Sequence, residues 1–196
     1  MSSVAHSVHP ETSTGLDNRK VAIWAFIGSE CLFFASLIST YLVYKGKSIS
    51  GPTPADIFEI PLVTFGTGVL LFSSFFVVQA LNGAQHGDRS RLIRWLSLTV
   101  LCGLFFVGMQ VYEFQHFYHK GLGFSTNLFS SSFYVLTGFH GTHVSLGVLW
   151  LGTLLVQAIR GKIPPEKSLN LEIAALYWHF VDVVWIVIFP VVYLMR

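Results

Sequence analysis

Phe133-Tyr-Val-Leu-Thr-Gly-Phe-His-Gly-Thr-His-Val-Ser-Leu-Gly147 combines a membrane-like composition with two histidines, His140 and His143. It lies within an apolar segment at residues 131–159, long enough to cross a bilayer as a helix. Polar groups at mid-membrane depth are costly and need protein partners. Small residues near the histidines allow other helices to come close; they are Gly138, Gly141, Ser145 and Gly147. We therefore predict a tightly packed helix whose histidines face protein.

The composition is that of an integral membrane protein. Of the 196 residues, 53% are hydrophobic and 11% are charged, whereas soluble domains carry about 25% charged residues. The net charge of +2 is too small to indicate nucleic-acid binding. Cys31 and Cys102 both fall in apolar segments, where we expect two buried thiols and no disulfide.

Five apolar segments follow a polar tail at residues 1–20, which we expect to be flexible and cytoplasmic. The segments lie at residues 21–44, 61–81, 92–118, 131–159 and 171–194. None alternates as a strand does, so we predict an all-α polytopic membrane protein whose single domain, residues 21–196, is a bundle of five transmembrane helices. Lys and Arg are more frequent in the loops on the N-terminal side. This bias predicts an N-terminus inside and a C-terminus outside.

Several ionisable residues are predicted to reach the same membrane depth. At a rise of 1.5 Å per residue, Glu30 and Asp182 lie about 13 and 16 Å from the inner ends of their segments. His143 lies about 18 Å from the outer end of its segment. A spacing of three residues puts His140 on the face of His143, and His179 on the face of Asp182. We predict that these five residues form a buried polar cluster.

Three interpretations of this cluster are open. Its members can hydrogen-bond to one another and hold the first, fourth and fifth helices in register. They can relay protons or bind a ligand, since ionisable residues inside a membrane often mark such paths. They can also bind a metal or a haem.

The metal interpretation draws on a further intramembrane carboxylate, Glu113. Glu113-Phe-Gln-His116 has the Glu-x-x-His spacing of di-iron carboxylate bundles. Such bundles need two of these motifs and two more glutamates, and this sequence has one motif. The corresponding function is a stand-alone di-iron membrane oxidase; a small transporter that uses the polar cluster is another alternative.

Arg89, Arg91 and Arg94 cluster at the predicted inner surface. Basic side chains at that depth can contact anionic lipid headgroups. Alternatively, they act only as the positive charges that orient the chain in the membrane.

Four stretches together resemble subunit III of the haem–copper respiratory oxidases, above all cytochrome c oxidase subunit III. They are Phe26-Ile-Gly-Ser-Glu-Cys-Leu-Phe-Phe34, Gln110-Val-Tyr-Glu113, Thr137-Gly-Phe-His-Gly-Thr-His143 and Tyr177-Trp-His-Phe-Val-Asp-Val-Val-Trp185. Their order and spacing agree with that family over residues 20–196. The last two motifs are long and specific.

The resemblance implies a subunit with no catalytic residue, metal or haem of its own. Such a subunit packs directly against catalytic subunit I, beside subunit II and small subunits, and supports proton uptake and sustained turnover in a proton-pumping oxidase. Haem and copper are then expected in the partner subunits. Phospholipid is expected in this bundle, within the bacterial plasma membrane. The electron donor is cytochrome c or a quinol, and no nucleic acid is implied.

The helix number departs from one form of the family. The mitochondrial form has seven helices, with a cleft between the first two and the other five. This chain corresponds to the last five, as is usual in bacterial oxidases. Part of the lipid-binding cleft is therefore expected to be missing or supplied by another subunit.

Overall fold

The computed structural model describes residues 17–45, 47, 60–164 and 168–195. Within those ranges the chain forms helices and no strand. The helices are α1 (Asn18–Tyr44), α2 (Ile60–Gln85), α3 (Arg89–His119), α4 (Leu128–Ile159) and α5 (Leu169–Phe189), and α5 continues into a π-helical turn at Pro190–Leu194. With this turn included in α5, all five are long and apolar enough to cross a membrane. This confirms the predicted all-α, five-span architecture.

Three helices begin one turn before the apolar segments, because polar side chains cap them. In each, the cap accepts a hydrogen bond from a backbone N–H of the first turn: Asp17 from Arg19, Asp88 from Arg91 and Asn127 from Ser130. Such a bond satisfies an N–H that has no partner within the helix. Residues 18–20 of the predicted tail therefore belong to α1, and residues 1–16 lie outside the described ranges.

Helix α5 lies at the centre of the bundle, packed against α1, α2 and α4, while α3 packs on α2 and α4. At one end, Lys20 pairs with Glu172 at 2.6 Å and joins the starts of α1 and α5. At the other end, Lys45 donates to the carbonyl oxygen of Met195 and joins their ends; partial burial lowers the pKa of Lys45. Helices α1 and α5 are therefore parallel. Which end faces the cytoplasm stays a prediction.

The indole of Trp178 is fully buried between α3 and α4, where two glycines make room for it. A Cβ atom at Gly147 would lie 2.8 Å from the indole, and one at Gly103 would lie 2.7 Å from it. Carbon atoms normally approach no closer than about 3.5 Å. The small residues of α4 thus allow a side chain of α5 to approach closely, as predicted from the sequence of residues 133–147.

The two cysteines differ from expectation in burial. Both are free thiols, but Cys31 is exposed on the bundle surface and Cys102 is half-buried. The prediction of two buried thiols is wrong because α1 and α3 turn these faces away from the core. An apolar segment alone does not distinguish its lipid-facing side from its packed side.

We expect Gly147→Val to destabilise the protein by about 1–3 kcal/mol, because the added methyl groups must displace the indole of Trp178. Gly152→Val is the matched control, since a Cβ on this glycine of the same helix meets nothing within 4 Å. Thermal unfolding of both variants in detergent checks this. Equal melting temperatures would contradict the packing of Trp178 against Gly147.

Candidate functional site

Glu30 of α1 and His143 of α4 meet within the membrane span, with 3.2 Å between Oε2 and Nε2. His143 Nδ1 lies 2.8 Å from the carbonyl oxygen of Phe139. Because a carbonyl oxygen only accepts, Nδ1 must carry a proton. The contact with Glu30 then needs one further proton, held by Nε2 or by the carboxyl group. Either arrangement leaves the pair without net charge, which limits its cost inside a bilayer.

This pair lies near the surface of the bundle, between α1 and α4. The side chains of His143 and Glu30 are 14% and 19% exposed. Helix α5 also takes part, since the hydroxyl of Tyr177 donates to the carbonyl oxygen of His143 at 3.0 Å. The ring of Phe34 meets the imidazole edge-on, with 5.0 Å between centroids. The pair therefore links α1 to α4 directly, and Tyr177 adds α5.

A second polar group joins α2 to α5 through the hydroxyl of Ser74. This hydroxyl lies 2.9 Å from Nδ1 of His179 and donates to Oδ2 of Asp182. With its single hydroxyl proton given to Asp182, Ser74 can accept a hydrogen bond from Nδ1–H of His179. Asp182 is 3% exposed, and its Oδ1 has no hydrogen-bond partner among the described residues.

His140 forms no hydrogen bond with either group. It is fully buried, and its Nε2 lies 3.3 Å from the carbonyl oxygen of Val181, to which it donates. Its ring stacks on Trp185, with centroids 4.7 Å apart, and meets the edge of Phe106. Within the described ranges, Nδ1 of His140 has no hydrogen-bond partner. The five residues predicted to form one cluster are thus placed as two pairs and a separate histidine.

Two further bonds between α2 and α5 involve residues that sequence reasoning missed. The indole N–H groups of Trp178 and Trp185 donate to the hydroxyls of Ser73 and Thr67, each at 2.9 Å. Both hydroxyls donate their own proton to a carbonyl of α2, which leaves the oxygen free to accept. The spacing of the tryptophans was a usable signal, because two residues seven apart share one helix face. Thr67 and Ser73 are six apart, which does not place them on one face, so their spacing carries no such signal.

The predicted Glu-x-x-His motif takes part in packing near the end of α3. Glu113 accepts a hydrogen bond from Tyr193 at 3.0 Å, and both residues are buried. The ring of His116 stacks on Tyr112, with centroids 6.1 Å apart. In the part of the chain that the structure describes, no three His, Cys, Asp or Glu side chains come together as a metal site.

The three arginines predicted to contact lipid have different surroundings. Arg89 donates to the carbonyl oxygens of Ala158 and Ile159 and so caps α4. Arg91 donates to Gln79 of α2 at 2.6 Å. Arg94 is exposed and bonds to a carbonyl of its own helix. Contact with lipid headgroups stays a prediction for all three.

A cleft of about 470 Å³ opens at the end of the bundle where α1 and α5 begin. Phe26, Trp150 and Leu154 contribute apolar surface to its lining, and Arg19 and Asn170 contribute polar groups. The guanidinium of Arg19 donates a hydrogen bond of 3.1 Å to Oδ1 of Asn170 and so joins the polar groups of the cleft. The cleft therefore combines an apolar wall with a polar rim, as an amphiphile requires.

The sequence of the chain is similar to a family of known proteins. Residues 5–196 match the family cytochrome c oxidase subunit III. The chain is 40% identical to cytochrome c oxidase subunit 3 of Bacillus sp. (strain PS3), over 95% of this chain and 91% of that protein. It is 41% identical to quinol oxidase subunit 3 of Bacillus subtilis (strain 168), over 89% of this chain and 86% of that protein.

A third relative comes from another genus. Identity is 38% with cytochrome bo(3) ubiquinol oxidase subunit 3 of Pseudomonas aeruginosa, over 97% of this chain and 93% of that protein. Relatives named for cytochrome c and relatives named for a quinol are thus similar to this chain to nearly the same degree.

We expect Ser74→Ala to lower the unfolding free energy by about 1–3 kcal/mol, because it leaves the buried carboxyl group of Asp182 and the half-buried imidazole of His179 without their shared partner. Ser36→Ala is the control, since that exposed hydroxyl bonds only to a carbonyl of its own helix. Thermal unfolding of the isolated chain in detergent compares the two. If Ser74→Ala unfolds at the temperature of the Ser36→Ala variant, Ser74 does not link α2 to α5.

Proposed function

This chain belongs to the cytochrome c oxidase subunit III family, and on that premise we propose that it is a core subunit, without a catalytic centre of its own, of a proton-pumping terminal oxidase. It stabilises catalytic subunit I and supports proton uptake and sustained turnover there. Subunit II and small subunits complete the complex in the bacterial plasma membrane. The observation that carries the proposal is the family match over residues 5–196.

The geometry of the intramembrane polar groups supports a structural role. Glu30 bonds to His143, and Ser74 joins His179 to Asp182. Each bond connects two different helices, so each group contributes to the shape of the bundle. A rigid bundle of this kind can hold a larger membrane subunit in one arrangement during turnover. Haem and copper, which carry the redox chemistry, then belong to the partner subunits.

Phospholipid binding is supported by the cleft at the start of α1 and α5. Its apolar wall suits an acyl chain, and the guanidinium of Arg19 on its rim suits a phosphate. Gln157 of α4 and Asn170 of α5 add neutral hydrogen-bonding groups beside it. We propose that a phospholipid occupies this cleft and packs α1 against α4.

Both electron donors fit the proposal. The relatives include a cytochrome c oxidase subunit and quinol oxidase subunits at 40%, 41% and 38% identity. The role is therefore the same whether electrons come from cytochrome c or from a quinol.

The proposal predicts that the tagged chain, purified from its native membrane in mild detergent, brings with it a haem–copper oxidase. A reduced-minus-oxidised spectrum checks this. Oxidase from cells lacking the chain should keep its haem absorbance but lose activity during turnover, because subunit I is then unsupported. A chain that comes down alone, with iron of its own or with no chromophore, would contradict the proposal.

A further inference from the structure

The cleft at the start of α1 has two firmly packed walls and one weakly packed wall. Helix α4 contributes Leu154 to its lining and α5 contributes Ile173, and both side chains are buried in the bundle core. Helix α1 contributes the exposed side chain of Phe26. Of residues 18–27, named here the leading segment, Ile23 alone is buried. One wall of the cleft is therefore held by very little apolar contact.

The remainder of α1 is held at several points. Glu30 contacts His143 at 3.2 Å, and the ring of Phe34 is 2% exposed. Tyr41 is fully buried, and its hydroxyl donates to the carbonyl oxygen of Val192 at 3.4 Å. Segments with few buried contacts open at a lower free-energy cost than segments with many. The leading segment is therefore the part of α1 that separates from the bundle most easily.

Two polar links hold the leading segment against α5. The ammonium group of Lys20 lies 2.6 Å from the carboxylate of Glu172, and Arg19 donates to Asn170 at 3.1 Å. The side chains of Lys20 and Glu172 are each 32% exposed, and that of Arg19 is 62% exposed. Ion pairs that water can reach are weak and are screened by salt. These links can therefore open without leaving a buried charge unpaired.

A glycine–serine pair separates the leading segment from the firmly held part of α1. A Cβ atom on Gly28 would meet nothing within 4 Å, so no neighbouring helix restrains this turn. The hydroxyl of Ser29 donates to the carbonyl oxygen of Phe26 at 2.7 Å. Serine hydroxyls bonded to the preceding turn often bend helices, and sharp kinks occur at Gly/Ser pairs. Residues 28–29 are therefore the point at which α1 bends most easily.

The leading segment has the length and the position of one side of the cleft. Along α1 the lining extends from Arg19 to Phe26. Movement of the leading segment away from α4 therefore opens the cleft to the bilayer along its length. Movement of either other wall would pull Leu154 or Ile173 out of the core. The least costly opening is thus through α1.

We propose that the leading segment is a lateral gate of the cleft, which swings at Gly28–Ser29 when the Lys20–Glu172 pair opens. The occupant that passes the gate is the phospholipid of the proposed function, and this part of the proposal rests on that function. The closed pair holds the lipid between α1 and α4. Because water reaches the pair, the ionic strength at that membrane surface sets how often the gate opens.

Distances between nitroxide spin labels test the movement without reference to a ligand. The labels are attached at positions 25 and 156, which are exposed on the leading segment and on α4. The chain also carries Cys31→Ala and Cys102→Ala and is placed in nanodiscs of phosphatidylglycerol and phosphatidylethanolamine. We expect Glu172→Gln to lengthen the mean distance by several ångströms and to broaden its distribution, because the segment is then released from α5.

A second label pair, at positions 32 and 156, is the control. Leu32 lies just beyond the hinge on the firmly held part of α1, so its distance to position 156 should not change. Equal changes in both label pairs would show that α1 moves as a whole. An unchanged distance from position 25 would show that Glu172 does not hold the segment. Either result would overturn the gate.

Charge reversal separates the ion pair from other effects of one substitution. Lys20→Glu alone should lengthen the distance from position 25, and Lys20→Glu combined with Glu172→Lys should restore it. Salt at about 1 M, where the Debye length is about 3 Å, should lengthen the same distance in the wild-type pair. A double reversal that leaves the segment released would contradict an ionic link between α1 and α5.

The rate of lipid exchange tests what the gate does. Native mass spectrometry follows the replacement of bound phosphatidylglycerol by its deuterated form over time. We expect several-fold faster exchange with Glu172→Gln and several-fold slower exchange with Gly28→Ala, because alanine favours the straight helix at the hinge. Gly152→Ala is the matched control, since a Cβ atom on that glycine of α4 also meets nothing within 4 Å.

The outcomes of this experiment are distinguishable. Exchange at the wild-type rate in both gate variants would overturn the gate while leaving the lipid site intact. A wild-type chain that holds no phospholipid would overturn the lipid site and the role of the gate together. Failure of the proposed oxidase function looks different, because the tagged chain would then recover no haem.

Discussion

The core of a lipid bilayer offers no hydrogen-bonding partner, so polar groups inside the bundle must bond to other groups of the protein. This constraint determines how the helices pack. Between α2 and α5 it is met by hydroxyl groups. Thr67 and Ser73 receive the indole protons of Trp185 and Trp178, and Ser74 joins His179 to Asp182. Because these bonds recur along both helices, they fix the register of α5, on which α1, α2 and α4 all pack.

Much of this architecture follows from the sequence by simple physical rules. Length and hydropathy suffice for the five spans, and helical rise places Glu30 and His143 at one depth, where the structure joins them. The first residues of the helices are harder to predict from hydropathy, because polar caps such as Asp88 start α3 one turn before its apolar residues. Hydropathy says even less about which side of a helix faces lipid, so the sequence did not predict that Cys31 is exposed.

The pairing of polar residues depends on rotation of one helix against another, which spacing within one helix does not determine. The three-residue spacing from His143 put His140 in the predicted cluster, yet its ring stacks on Trp185 and bonds to the carbonyl of Val181. Ser74 was not predicted to take part, because the role of a serine in a transmembrane helix depends on the side chains that a neighbouring helix places beside it. For the same reason, the sequence did not show that Arg89 donates to a carbonyl oxygen at the end of α4.

The central claim is that hydroxyls of α2 hold α5 by interhelical hydrogen bonds, and a double-mutant cycle tests it most directly. Thr67→Val keeps the volume and removes the acceptor, and Trp185→Phe removes the donor. Unfolding free energies of both single variants and the double variant in mixed micelles give the coupling. The account predicts a favourable coupling of about 0.6 kcal/mol or more. Strict additivity of the two changes would contradict it.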